Sequence, residues 1–117
     1  MSTDPPSVTD IDPAAALGLV DAGAFLLDVR EDDEWDAGHA PQAVHVVMGS
    51  VPDHMDDIPS DRTVVCICRV GGRSGAVATA LAGAGYDVRN VDGGMLAWEA
   101  AGYLVVDGPG GGPGRVI

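Results

Sequence analysis

Residues 63–82 place an apolar run, a cysteine, a glycine-bearing loop with two arginines and a small-residue stretch in that order, and the order constrains the whole chain. Thr63-Val64-Val65-Cys66-Ile67 is apolar almost throughout, as a strand covered on both faces is. Ser74-Gly75-Ala76-Val77-Ala78-Thr79-Ala80-Leu81-Ala82 predicts a helix ending at Gly83 or Gly85. Between them stands Cys68-Arg69-Val70-Gly71-Gly72-Arg73. A cysteine at the end of a strand and ahead of a helix meets free loop N–H groups and the partial positive charge of the helix start, which favour an anionic sulfur. Arg69 and Arg73 add formal positive charge to the same turn, so the segment is suited to anions.

The rest of the chain repeats the strand–helix alternation. Residues 1–7 read as a flexible lead and 8–11 as a short edge strand. Asp12-Pro13 predicts an N-cap followed by proline at the first helical position, with the helix running to Gly23. Residues 24–29 form a buried strand, 31–37 a short acidic helix closed by Gly38, and 43–47 a third strand. A short helix is expected over 50–55, ended near Pro59, and a central strand over 63–67 with its helix over 74–84. The last core strand falls at 87–91, the last helix at 94–101, and 103–106 docks as an extended segment. Residues 107–117 are too rich in Gly and Pro for regular structure and are expected as a flexible tail. Buried strands alternating with helices predict an α/β fold: an open, mostly parallel sheet of about five strands with helices on both faces. Ligand sites in such sheets lie at the carboxyl ends of strands, where Cys68 stands.

The chain's 117 residues suffice for one domain, and a 46% hydrophobic content argues for a packed core drawn from aliphatic residues, since aromatics make up 4%. Eighteen acidic residues face six basic ones, all arginine, for a net charge of −12. That field repels nucleic acid and anionic membrane surfaces, so neither is an expected partner. It would also slow a dianion, whose attraction must then come locally from Arg69, Arg73 and the loop amides. No apolar run approaches the roughly 20 residues that span a bilayer, and the first residues lack the basic start and apolar stretch of a signal peptide, so the expected location is cytoplasmic. Cys66 and Cys68 share one face of a strand and cannot staple the fold; Cys66 is expected as a small core residue rather than a resolving partner. No Cys/His spacing suits a metal, and none is predicted.

Four ordered motifs carry a resemblance beyond this. Leu27-Asp28-Val29-Arg30 is followed by Glu31 and Glu34; Gly38-His39-Ala40-Pro41-Gln42-Ala43 comes next; the Cys68 loop follows; Val91-Asp92-Gly93-Gly94-Met95-Leu96-Ala97-Trp98 closes the series. Over residues 8–106 the chain resembles a single-domain rhodanese, a sulfurtransferase, with Ala40 and Gln42 as departures from the family's Gly-His-Ile-Pro-Gly-Ala turn. The resemblance implies that Cys68 is the nucleophile, which takes a sulfane sulfur from thiosulfate or a persulfide, holds it as a persulfide and yields it to a thiol or cyanide. No cofactor is implied.

The amides of Arg69, Val70, Gly71, Gly72 and Arg73 would cradle the sulfur. Arg69 is the candidate for meeting substrate, and Arg73 would brace the loop from outside through a carboxylate. Val70 is apolar where an oxyanion would need a donor. Asp28 and Arg30 read as a structural ion pair, His39 as a packing histidine, and Trp35 and Trp98 as core residues, while His45 and His54 fall in no pattern. Two alternatives stand beside the sulfurtransferase: a sulfur-relay or regulatory module fed by a partner protein, and a cysteine phosphatase or arsenate reductase. In the cysteine phosphatases the arginine comes one position later than Arg73, where this chain has Ser74.

Overall fold

Each apolar run becomes a short strand because helices cover it from both sides. The computed structural model describes residues 8–117. Its elements are β1 (Thr9–Ile11), α1 (Pro13–Asp21), β2 (Phe25–Asp28), α2 (Asp32–Ala37), β3 (Val44–His45), a 3-10 helix (Met48–Asp57), β4 (Val64–Ile67), α3 (Gly72–Gly83), β5 (Val88–Val91) and α4 (Gly94–Ala100). The strands form one sheet in the order β1-β5-β4-β2-β3, with every pairing parallel. β4 lies in the centre with its four residues fully buried.

Alternating side chains feed two cores. Leu27, Val64, Cys66 and Cys68 pack with Val51 of the 3-10 helix and with Val77, Ala78 and Leu81 of α3. Leu26, Val65, Ile67 and Val91 pack on the other side with Ala16 of α1 and with Met95 and Trp98 of α4. From β2 the chain steps to β3 on one side, and from β4 to β5 on the other. The carboxyl ends of β2 and β4 therefore flank a switch in direction, the place where open α/β sheets form ligand sites.

Local signals account for most boundaries. Asp12 caps α1 by accepting from the Ala15 amide at 2.8 Å, and Pro13 stands where no N–H is needed. Between β3 and β4, where a short helix was expected over 50–55, the chain winds as a longer 3-10 helix broken at His54 (φ −120°, ψ 20°). Pro52 inside it supplies no N–H, which favours the tighter, less regular winding. α3 starts two residues earlier than predicted. Gly71 takes a left-handed φ of 114° and its carbonyl accepts from the Gly75 amide at 3.0 Å, so Gly72 and Arg73 belong to the first helical turn rather than to a loop.

Residues 107–117 contain no helix or strand beyond a single bridge, yet the segment expected as a flexible tail makes a defined set of contacts. Val106 exchanges both backbone hydrogen bonds with His39 at 2.9 Å, and Asp107 closes a turn by accepting from the Gly112 amide at 2.8 Å. The Arg115 amide then reaches the Ala37 carbonyl at 2.9 Å, and the Val116 amide reaches Glu99 Oε2 at 3.0 Å. Glycine here serves close approach: a Cβ on Gly38 would overlap the backbone of Arg115, and one on Gly114 would lie 2.5 Å from the Val106 carbonyl carbon. Trp35, expected in the core, is only half-buried; its ring stacks on His39 at 3.6 Å and His45 at 4.7 Å.

Two glycine substitutions separate conformational cost from conformational entropy. Gly94 has φ 54°, and a Cβ there would lie 2.6 Å from the carbonyl carbon and oxygen of Arg69 and closer still to the Cys68 carbonyl. Gly94→Ala should lower stability by about 2 kcal/mol or more. Gly18, in α1 with nothing within 4 Å of its Cβ position, should give a gain of about 0.5–1 kcal/mol on Gly18→Ala. Urea unfolding midpoints measure both, and equal shifts for the two variants would refute the packing argument at Gly94.

Candidate active site

Cys68 follows β4 directly, and the turn after it brings backbone donors back to its sulfur. The Gly71 amide donates to Sγ at 3.1 Å and the Ser74 hydroxyl lies 3.2 Å from Sγ. The residue is 1% exposed, so only a small group or the tip of a larger one reaches the sulfur. Burial alone would push this thiol up. The hydrogen bonds of the Ser74 hydroxyl and amide and of the Gly71 and Val70 amides outweigh burial and leave Cys68 below the ordinary cysteine range. Cys66, two residues earlier on the same face, has no such donors; burial, with the neighbouring Cys68 second, pushes it up to about 12. It is a fully buried core thiol, and both cysteines are free.

The loop is clamped from two sides. On one side its backbone is tied to α4: the Met95 amide donates to the Cys68 carbonyl at 2.7 Å and the Leu96 amide to the Arg69 carbonyl at 3.1 Å. On the other, Arg73 forms a two-pronged pair with Glu34 of α2, Nη1 to Oε1 at 2.6 Å and Nη2 to Oε2 at 2.9 Å. That pairing, against some desolvation, holds the Glu34 carboxyl down at about 2 and raises Arg73. Behind Glu34, the fully buried Arg30 pairs with Asp28, Nη2 to Oδ2 at 2.8 Å, and donates to the Gly38 carbonyl at 2.8 Å. Asp28 and Arg30 thus form the structural pair expected of them, two links away from the loop.

Of the remaining residues singled out in the sequence, Gly71 and Gly72 lie at the turn and helix start beside Sγ, while Val70 projects from the loop at 55% exposure. Arg69 turns away along the surface, where its Nε donates to the Ile117 carbonyl at 2.9 Å. His39 packs on Trp35 and donates from Nδ1 to the Trp35 carbonyl at 2.8 Å. His45 donates from Nε2 to the Arg30 carbonyl at 2.7 Å. Together with His54, Asp32, Asp57 and Ser50 it lines a cavity of about 440 Å³ that does not include Cys68.

Ser74, whose hydroxyl touches the sulfur, and Asn90, which bonds that hydroxyl, were given no role from the sequence. Ser74 read as the first residue of a helix, and Asn90 as an unremarked position in the last strand. In the fold both are buried and their side chains are bonded to each other at 2.6 Å. An amide at Asn90, alternating with Arg89 in Val88-Arg89-Asn90-Val91 and so set on the opposite face from that charge, was the available signal, because a buried amide needs partners.

Comparison with known proteins agrees with this arrangement. The rhodanese-like domain family matches residues 12–101. The chain is 43% identical over 94 residues to a putative sulfurtransferase, YtwF, of Bacillus subtilis (strain 168), covering 79% of this chain and 91% of that protein. It is 36% identical over 90 residues to the thiosulfate sulfurtransferase GlpE of Pseudomonas syringae pv. syringae (strain B728a), covering 76% and 85%. Among solved structures, a rhodanese-related protein from Thermoplasma volcanium superposes with a TM-score of 0.78 at 28% identity, over 84% of this chain and 97% of that one. The parallel five-stranded sheet, the cysteine at the end of its central strand and these matches together show that the chain belongs to the rhodanese-like domain family.

Proposed function

We propose that this protein is a sulfurtransferase that carries a sulfane sulfur on Cys68. The observation that carries the proposal is the convergence of the Gly71 amide and the Ser74 hydroxyl on a thiol at the start of α3, which lowers its pKa in spite of burial. With thiosulfate, the Cys68 thiolate attacks the outer sulfur; the bond to the inner sulfur breaks and its electron pair leaves with sulfite. The negative charge then rests on the outer sulfur of a persulfide, where the backbone amides of residues 69–73, in the loop and the first turn of α3, stabilise it. A thiolate or cyanide attacks that outer sulfur and the thiolate of Cys68 is restored. No cofactor takes part. A cytoplasmic setting, in which thiols stay reduced, suits a resting thiolate. Among the described residues no helix is long and apolar enough to cross a membrane.

A partner-fed relay is the second reading, favoured by one observation: Val70 stands exposed on the loop around a sulfur that is itself almost closed off. An apolar side chain there suits a docked protein or thiol partner better than an inorganic dianion. A phosphatase reading finds no such support. Arg73, the loop's only counterpart to a phosphate-binding arginine, spends both terminal nitrogens on Glu34.

Intact-protein mass spectrometry tests the main proposal. Thiosulfate or a small thiol persulfide should add the mass of one sulfur, cyanide should remove it, and Cys68→Ser should abolish the gain while leaving the fold intact. Residual transfer above a tenth of the parent would eliminate Cys68 as the nucleophile. Transfer only from a protein persulfide would favour the relay.

Arg69 offers a second test. Among the described residues its guanidinium gives one N–H, to Ile117, and keeps the others free, so Arg69→Ala should raise KM for thiosulfate severalfold with little change in stability. An unchanged KM would remove Arg69 from the substrate site. Alkylation of Cys68 should also rise with pH to a plateau whose midpoint lies below the ordinary value of about 8.5, because only the thiolate reacts.

A further inference from the structure

The hydroxyl of Ser74 has one proton and three acceptors within reach: Asn90 Oδ1 at 2.6 Å, Cys68 Sγ at 3.2 Å and the Gly71 carbonyl at 3.4 Å. It can serve one of them well at a time. The Asn90 amide is not free to turn over and offer a donor instead. Its Nδ2 already donates to Asp10 Oδ1 at 3.1 Å and to the Gly71 carbonyl at 3.0 Å, and a reversed amide would set its oxygen against both acceptors. The carbonyl end of Asn90 therefore faces Ser74.

The sheet register builds this arrangement. Asp10 and Asn90 are paired across β1 and β5, and Asn90 and Cys66 across β5 and β4. The three side chains stand in one row on the face that packs against α3, and Cys68 lies two residues beyond Cys66 on that same face. Gly75 leaves room for the amide: a Cβ there would lie 3.3 Å from Asn90 Nδ2.

We propose that Asp10 and Asn90 are positioning residues for Cys68, which act by directing the Ser74 proton. The proposal rests on Cys68 being the reactive thiol. In the thiol state the Cys68 S–H donates to Ser74 Oγ, and the Ser74 O–H goes to Asn90. In the thiolate state the hydroxyl turns to the sulfur and Asn90 Oδ1 loses its donor. When Sγ forms its bond to the sulfane sulfur, its charge passes to the outer sulfur and the hydroxyl returns to Asn90. Asn90 thus lowers the resting thiolate fraction but favours the bond-forming step, a balance between amount and nucleophilicity of thiolate. The other charged or titratable groups around the loop include Arg69, Arg73 with Glu34 paired to it and Glu31 nearby, and Cys66 beneath. The substitutions below leave all of them in place.

The test is the pH profile of iodoacetamide alkylation at Cys68, followed by intact mass and requiring no sulfur transfer. Asn90→Ala frees the Ser74 proton for the sulfur, so the midpoint should move to lower pH and alkylation below the midpoint should rise about three- to tenfold. If Asn90 merely braced the loop, its loss would loosen the amides around Sγ and move the midpoint upward, which overturns the proposal. Asp10→Asn, a milder change on the edge strand, should move the midpoint the same way by less. It carries the test if Asn90→Ala does not fold, and an unchanged or raised midpoint there overturns the proposal equally.

In a Ser74→Ala background both shifts should vanish. Shifts of undiminished size there would show a plain electrostatic effect and refute the relay through Ser74. Because the readout is alkylation, a failure to transfer sulfur would count against the proposed function without touching this result.

Discussion

The Arg30 guanidinium has no exposed surface, and the active-site end of the fold is arranged around the partners it must have. A buried charge left without a counter-charge costs about 3–5 kcal/mol, so the bonds to Asp28 and to the carbonyls of Gly38 and Glu34 are obligatory rather than ornamental. They join the carboxyl end of β2 to the last turn of α2 and fix the direction in which that helix leaves the sheet. Glu34 on the same helix can then meet Arg73 on the first turn of α3. Two ion pairs, one sealed and one at the surface, thereby connect β2 to the loop that holds Cys68.

The contrast between Cys66 and Cys68 shows what that loop does. Both thiols belong to the same buried core on the same face of β4. Burial is the largest influence on each, and it pushes both upward. Cys66 receives no hydrogen bond that favours its anion, and it stays protonated. Cys68 is carried just past the strand end, where α3 begins, and its hydrogen-bond donors reverse the sign. Two residues of chain separate a core thiol pushed up by burial from one held below the ordinary cysteine range. The left-handed Gly71 makes the difference, because it folds the helix start back over the sulfur.

The arginines are used differently from what their sequence neighbourhood suggests. Both stand within five residues of Cys68, and a sequence view credits both with drawing anions to the sulfur. Arg73 is neutralised by a close carboxylate and acts as a strut, whereas Arg69 is directed along the surface toward the carbonyl of Ile117. Local attraction for an anion therefore falls to the backbone amides, the helix start and the terminal N–H groups of Arg69, set against a chain of net charge −12. Such short-range donors act at contact distance and are little affected by the field of the whole protein.

Read as a sequence, the chain determined the alternation of strands and helices, the parallel sheet they imply, and the place of Cys68 at a strand end before a helix. All of these follow from neighbours along the chain: apolar runs, an Asp-Pro cap, and glycines after a cysteine. The two-sided core and the carboxylate brace on Arg73 were legible in outline, the brace through family resemblance and without naming Glu34. The row Asp10–Asn90–Cys66 was not legible, because it depends on the register of β1, β5 and β4, strands separated by up to 80 residues of sequence. Nor was the seating of residues 107–117, where glycine-rich composition signals disorder and equally permits the close backbone contact seen at Gly38. Local signals set which elements form; what each buried polar group finds as a partner was decided only when the sheet brought distant strands side by side.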